Sequence, residues 1–406
     1  MRNESRVIGR CLESVLPYVD GAVICDTGST DDTVDRIGEI TRAAGAPLHL
    51  AHHPWVNFGQ NRTRAATEAR QWIRTQGWSP ENCWLLLLDA DMVLVVDPSF
   101  DREALTATSY EVEQDDGIVR YSNTRLIRLS VPWESVGPTH EYWRPVVEAG
   151  ESITSAPLPS LLIRDMTDGG SKESKFERDI DLLTRALTEE PDNVRYVFYL
   201  AQSHYDIRQW AKAAELYELR WRMGGWSEER WFARYRQGLA LLNLGEGERG
   251  AGVLLEAFNE RPTRAEPLMA LARHYRQQGR CHAALPLVLW ALQIPWPKND
   301  VLFIERHVYE WRLLEELVLT AIHVGEQYHG LAVDACDRLL ARTGEAEEYY
   351  AFFTGARRWY QPEPVSGSPS GLAVDSGSAA VTSTPRRNAI VTEMDTDHTY
   401  AMGTVR

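Results

Sequence analysis

Apolar positions along the first 165 residues follow two rhythms. Val7 to Leu16 carries apolar side chains at helical spacing, and Thr33 to Ala44 and Asn61 to Thr75 do the same. Between them lie short apolar runs bounded by turn residues: Gly21 to Cys25, Pro47 to Ala51 and Cys83 to Leu88. Runs of that length predict strands. Strands alternating with helices predict an α/β, Rossmann-like domain over residues 1–165 with a mainly parallel sheet. Gly117 to Pro132 predicts further strands in a less regular half.

Residues 172–355 change character. Strand signals vanish, and Ala, Leu, Trp and Tyr recur at helical spacing. Tyr199 to Tyr205 with Trp210, Ala213, Ala214 and Tyr217 forms one unit. Tyr235 to Leu242 with Gly245, Ala251 and Ala257, up to Pro262, forms the next. Met269 to Tyr275 with Gly279, Ala284, Ala291 and Pro295 forms a third. Pro262 to Pro295 is a 33-residue step and Ala240 to Ala272 a 32-residue step. A period near 34, with small residues where helices would cross, predicts an all-α domain of tetratricopeptide-type helical hairpins. Residues 365–406 are rich in Ser, Gly, Thr and Asp and lack Trp, which predicts a disordered tail.

Composition narrows the function classes. Lys plus Arg is 43 against 58 Asp plus Glu, a net charge of -15 over 406 residues. Apolar residues make up 44% and charged residues 25%, a soluble globular balance. The acidic total argues against nucleic acid or an anionic membrane as partner. No apolar run is long enough to span a bilayer, and no signal core follows the first residues, so a cytoplasmic protein is expected. The five cysteines are scattered, odd in number and form no C-x-x-C pair, so neither a disulfide framework nor a cysteine zinc site is expected.

Four segments carry candidate chemistry. Leu85 to Leu88 runs into Asp89-Ala90-Asp91, two carboxylates at the carboxyl end of a buried strand, where ligands bind in open α/β sheets. Paired carboxylates call for a counter-charge, and a divalent cation with hard oxygen ligands supplies it. Asp26-Thr-Gly-Ser-Thr-Asp31 also follows a strand and precedes a helix. There Gly28 permits the turn, Asp26 can accept from a base or ribose, and Ser29 can face phosphates or cap the helix. Asn61 and Arg62 open a helix, and the Arg62 guanidinium can fork onto a diphosphate. In Pro138 to Trp143, His140 could ligate a metal and Glu141 could act as a general base.

These segments, with Asn3-Glu4 ahead of them, resemble in order the family 2 glycosyltransferases of the GT-A fold. The resemblance covers residues 2–340 and extends to bacterial members with C-terminal tetratricopeptide repeats, through Gly224 to Ala233 and Arg261 to Pro267. It implies transfer of a sugar from a nucleotide-diphosphate donor, a UDP-sugar foremost, with inversion at the anomeric carbon. Asn3, Glu4, Asp26, Gly28, Ser29, Asn61, Arg62 and Asp89 would bind the donor. Asp89, Asp91 and His140 would hold Mn²⁺ or Mg²⁺, and Glu141 would deprotonate the acceptor hydroxyl or thiol. The acceptor would be a glycan, a peptide or a small molecule. A homodimer through the repeats is a further expectation. The family opens with a buried apolar strand before the Asn-Glu pair, where only Met1 and Arg2 stand here. This predicts either a mis-assigned gene start or a degenerate enzyme.

Two competing readings remain. One is a repeat scaffold whose α/β half is catalytically inactive. The other is a haloacid-dehalogenase-type phosphatase, with Asp89 as nucleophile and Asp91 as acid/base. That chemistry also requires a downstream lysine and an acidic pair. Lys172 and Lys175 are the only lysines before residue 212, and no strand with paired acids follows them.

Overall fold

The computed structural model describes residues 1–117, 120–148, 150–169, 175–345 and 347–361. The tail predicted over 365–406 lies outside the described residues. The chain divides into two compact units. Over the described residues the first is Met1–Val253 with Asn299–Phe303, and the second is Leu254–Lys298 with residues 304 to 361.

The first unit begins with α1 (Ile8–Val15), β1 (Ala22–Asp26), α2 (Thr33–Ala43), β2 (Leu48–His52) and α3 (Phe58–Thr75). Ile8 and Leu12 of α1 pack on Ile24 of β1 and Ile37 of α2, the apolar positions that set the helical period. β1 and β2 pair in parallel, joined through the crossover helix α2. Then follow β3 (Trp84–Leu86), β4 (Met92–Val96), β5 (Ser109–Asp115), β6 (Arg120–Arg128), β7 (Trp133–Val136), β8 (Tyr142–Pro145) and β9 (Ser155–Asp165).

The expected mainly parallel sheet is not what these strands form. β1 and β2 make a separate pair, and the main sheet has the order β3-β6-β5-β9-β4. Within it only β5 and β9 run parallel; the other three pairings are antiparallel. The reason is connectivity. Parallel neighbours need long crossovers, usually helical, and no α-helix lies between α3 and residue 175 among the described residues. β5 and β6 are joined by a short hairpin connection and must therefore oppose each other. β7 and β8 form a second small hairpin.

A cavity of about 550 Å³ lies between β1 and β3, lined among others by Ile8, Leu12, Val23, Leu85, Asp89 and Arg102. Met1 sits at its edge. Its ammonium donates to the Cys25 carbonyl at 2.8 Å, and its own carbonyl accepts from the Thr27 N–H at 2.9 Å.

Helices then take over: α4 (Lys175–Glu189), α5 (Val194–Asp206), α6 (Trp210–Arg222), α7 (Ser227–Asn243) and α8 (Gly247–Glu260). Successive helices pack as hairpins from α4 to α7. Ala201, Ala213 and Ala214 are buried, as small residues at helix crossings should be. A Cβ on Gly250 of α8 would stand 3.0 Å from the Gly238 carbonyl oxygen of α7 and 2.7 Å from Leu242, so this hairpin depends on glycine for its close approach. The unit border falls inside α8.

The second unit holds α9 (Glu266–Gln277), α10 (Cys281–Ala291), α11 (Leu313–Ala321), α12 (His329–Leu340) and α13 (Glu347–Tyr360). Ala284, Val288, Leu317, Ala321, Ala335 and Leu339 form its centre. No helix among the described residues is long and apolar enough to cross a membrane.

Candidate functional site

The turn after β1 closes on itself. The Asp26 carboxylate is buried and accepts the Gly28 N–H at 3.0 Å, the Ser29 N–H at 3.1 Å and the Ser29 hydroxyl at 2.5 Å. His52 lies 3.4 Å away. Burial alone would raise the Asp26 pKa, but these hydrogen bonds outweigh it and hold the carboxyl below its ordinary value. Gly28 supplies the φ of +99° that the turn needs. Asn3 braces the same turn, accepting the Thr30 N–H at 2.8 Å and donating its own N–H to Ser29 at 2.9 Å. Glu4 is buried, and its N–H donates to Thr33. Asn3, Glu4, Asp26, Gly28 and Ser29 therefore do come together.

Asn61 does not point into this group. Its side chain accepts the Val56 N–H at 2.9 Å and donates to the Pro54 carbonyl at 3.3 Å, fixing the loop before α3. Arg62, one residue on, bridges two carboxylates. Its Nη2 is 2.7 Å from Asp89 and its Nε 2.5 Å from Glu141. Burial lowers the pKa of such a group, but Asp89 and Glu141 more than offset this, and the guanidinium stands above its ordinary value. Arg125 of β6 approaches Asp89 at 3.7 Å and donates to Gln114 at 2.5 Å. A cavity of about 280 Å³ lies beside this network, lined among others by Arg62, Glu111, Arg125, Glu141 and Trp143.

Gly59 makes the network possible. A Cβ there would fall 2.2 Å from the Gly137 carbonyl oxygen and 2.7 Å from that of Ser135, so only glycine lets α3 lie against β7. Both neighbours are backbone and cannot swing aside. Gly59→Ala is expected to cost about 2–3 kcal/mol, the upper range for overpacking. Urea denaturation of the variant beside the parent checks this. An unchanged midpoint would contradict the close packing.

The three expected metal ligands do not converge. Asp91 is buried and accepts the Gly169 N–H at 3.2 Å. Asp89 belongs to the arginine network. His140 stacks on Tyr199 of α5 with ring centres 4.1 Å apart and planes within 6°, and its Nε2 is 3.6 Å from Asp179 of α4. Among the described residues no three His, Cys, Asp or Glu side chains are placed to hold a metal ion.

Burial, then the charges of Lys175 and Arg195, push the His140 imidazole down to about 3. Burial raises the Asp179 carboxyl above its usual value. Arg195 donates to the His140 carbonyl at 2.9 Å and lies over the rings of Tyr142 and Tyr199. His140 thus ties the sheet to the first repeat helices. Sequence reasoning missed Arg125, Asp179, Arg195 and Tyr199. Each meets a predicted site residue 36 or more positions away, Asp89 for Arg125 and His140 for the other three.

No family model matches the chain. A TPR repeat-containing protein of Synechococcus elongatus is 33% identical over 150 residues, covering 35% of this chain. The chain spans about a third of the length of that curated relative. Among solved structures, a MamA chain (AMB-1) is 27% identical with a TM-score of 0.28, covering 30% of this chain and 72% of its own. A second MamA structure is 16% identical with a TM-score of 0.32, covering 48% of this chain and 96% of its own. BtubC from P. vanneervenii is 14% identical with a TM-score of 0.33, covering 52% of this chain and 100% of its own.

The curated relative corrects the expectation of a family 2 glycosyltransferase. The curated relative is named for its TPR repeats and not for sugar transfer. The GT-A, D-x-D and manganese reading of Asp89-Ala90-Asp91 falls with it, as does the assignment of the chain as an enzyme. In this structure Asp89 and Glu141 are salt-bridge partners of Arg62.

Proposed function

We propose that the chain is a helical-repeat scaffold that binds a protein partner through an extended peptide segment. The observation that carries this is the 33% identity over 150 residues to a TPR repeat-containing protein. The run of packed hairpins from α4 onward agrees with it. Such repeats add modular units and present long surfaces to a partner. The net charge of -15 favours a neutral or basic partner segment, whose approach the field of the chain would speed. The closed networks at Asp26 and Arg62 support a bracing role for the sheet-bearing part.

A peptide library displayed against the full chain tests the reading. The parent and a double variant, Asp89→Ala with Asp91→Ala, are expected to capture the same peptides with the same affinity. Capture by neither chain would overturn the scaffold, and loss in the double variant would move binding to the sheet.

A further inference from the structure

Among the described residues, the chain leaves the first unit at Val253 and rejoins it for Asn299–Phe303. This short segment lies on α5 and α7. Glu228, buried in the first turn of α7, accepts the N–H groups of Val301 and Leu302 on one carboxylate oxygen, each at 2.8 Å. Leu302 is 2% exposed, whereas Val301 is 61% exposed. The Phe303 ring lies 6.1 Å from Phe198 of α5 with planes within 10°, and 4.9 Å from Phe232 of α7. Phe303 takes a φ of +45°, a left-handed conformation that a bulky side chain adopts only at a cost.

These are the features with which a groove holds a peptide. A carboxylate reads consecutive backbone N–H groups with charge-assisted bonds, an aliphatic side chain is buried, and an aromatic ring is clasped by two others. Backbone recognition tolerates different sequences, and the two side-chain sites supply the selectivity. The strained residue at the end of the segment weakens its hold and makes it displaceable.

We propose that the α5–α7 face is a peptide groove and that Asn299–Phe303 is its built-in occupant, displaced by a partner. That partner is an extended peptide carrying adjacent aliphatic and aromatic residues in the manner of Leu302-Phe303. The proposal rests on the scaffold reading and names the partner's chemistry. A tethered occupant competes at high effective concentration, so the groove's affinity for an outside peptide is reduced by the closed fraction.

The probe is a fluorescein-labelled peptide copying residues 298–305, titrated into the full chain by fluorescence anisotropy. Leu302→Ser, which releases the occupant, is expected to bind it at least tenfold more tightly than the parent. A probe with Ser at both the Leu and Phe positions should not bind, and Glu228→Gln in the released chain should weaken the original probe. If Leu302→Ser fails to fold, Phe303→Ala serves, because it removes the ring and keeps the strained φ of +45°. A folded released chain that ignores the probe, or takes the Ser probe equally well, would overturn the groove. Library peptides that bind parent and released chains alike would overturn the groove and leave the scaffold standing. Probe binding with no library peptide captured would do the reverse.

Discussion

Glu266→Ala is expected to cost the second unit about 3–5 kcal/mol, the toll for breaking a buried ion pair from one side. Arg264 and Glu266 are both 0% exposed. Arg264 donates to Glu266 through Nε at 2.9 Å and Nη2 at 2.7 Å. The Tyr309 hydroxyl donates to the same carboxylate at 2.7 Å, and the Glu305 N–H does so at 3.3 Å. Tyr309 in turn accepts the Ala265 N–H, so one carboxylate organises the start of α9 and the segment before α11. Its removal takes from a buried guanidinium the carboxylate beside it. A paired replacement, Arg264→Met with Glu266→Leu, should lose less than the single change, because no charge is then left to desolvate. Urea unfolding followed by helical circular dichroism reads both. A loss under about 1 kcal/mol for Glu266→Ala would mean that the pair is hydrated in solution.

Acid should loosen the first unit through His140. Its folded pKa of about 3 lies far below the ordinary value of 6.5. Between those values the unfolded chain takes up a proton that the folded chain refuses. Stability is therefore full above pH 6.5 and falls as the pH drops, by about 1.4 kcal/mol per unit for this one group. From pH 6.5 to 5 the loss is about 2 kcal/mol. His140→Phe keeps a ring on Tyr199 and cannot titrate. Its stability should be lower at neutral pH, where the contact with Asp179 is lost, but nearly flat over the same range once other groups are subtracted against the parent. His307, held down to about 4 chiefly by burial, works in the same direction in the second unit. Identical slopes for parent and His140→Phe would show that the imidazole reaches water in the folded chain.

The elements that carry a strong period were legible from the sequence. α1, α2 and β1 lie within a residue or so of where apolar spacing places them, because each buries one face against an immediate neighbour. β5 was not legible. Ser109–Asp115 alternates buried Tyr110, Val112 and Gln114 with half-buried Glu111, Glu113 and Asp115, and these charges hide the strand. β9 carries two prolines and pairs across long sequence distances, which no local pattern reports.

At the site, the grouping of Asn3 with the Asp26 turn is local geometry around a tight turn. The pairing of Arg62 with both Asp89 and Glu141 depends on how α3 sets against the sheet and the β7–β8 hairpin. An arginine near carboxylates reads equally well as a phosphate ligand or as their counter-ion until that packing is known. His140 misled for the same reason. Beside a glutamate in a loop it reads as a ligand, whereas in the fold it is the packing partner of Tyr199.

Deuterium uptake by the full chain, with and without a library-selected peptide, tests the central claim most directly. The scaffold account predicts slowed exchange in the repeat helices from α4 onward and no change in residues 1–165. Protection confined to residues 1–165, with the helices exchanging as before, would contradict it.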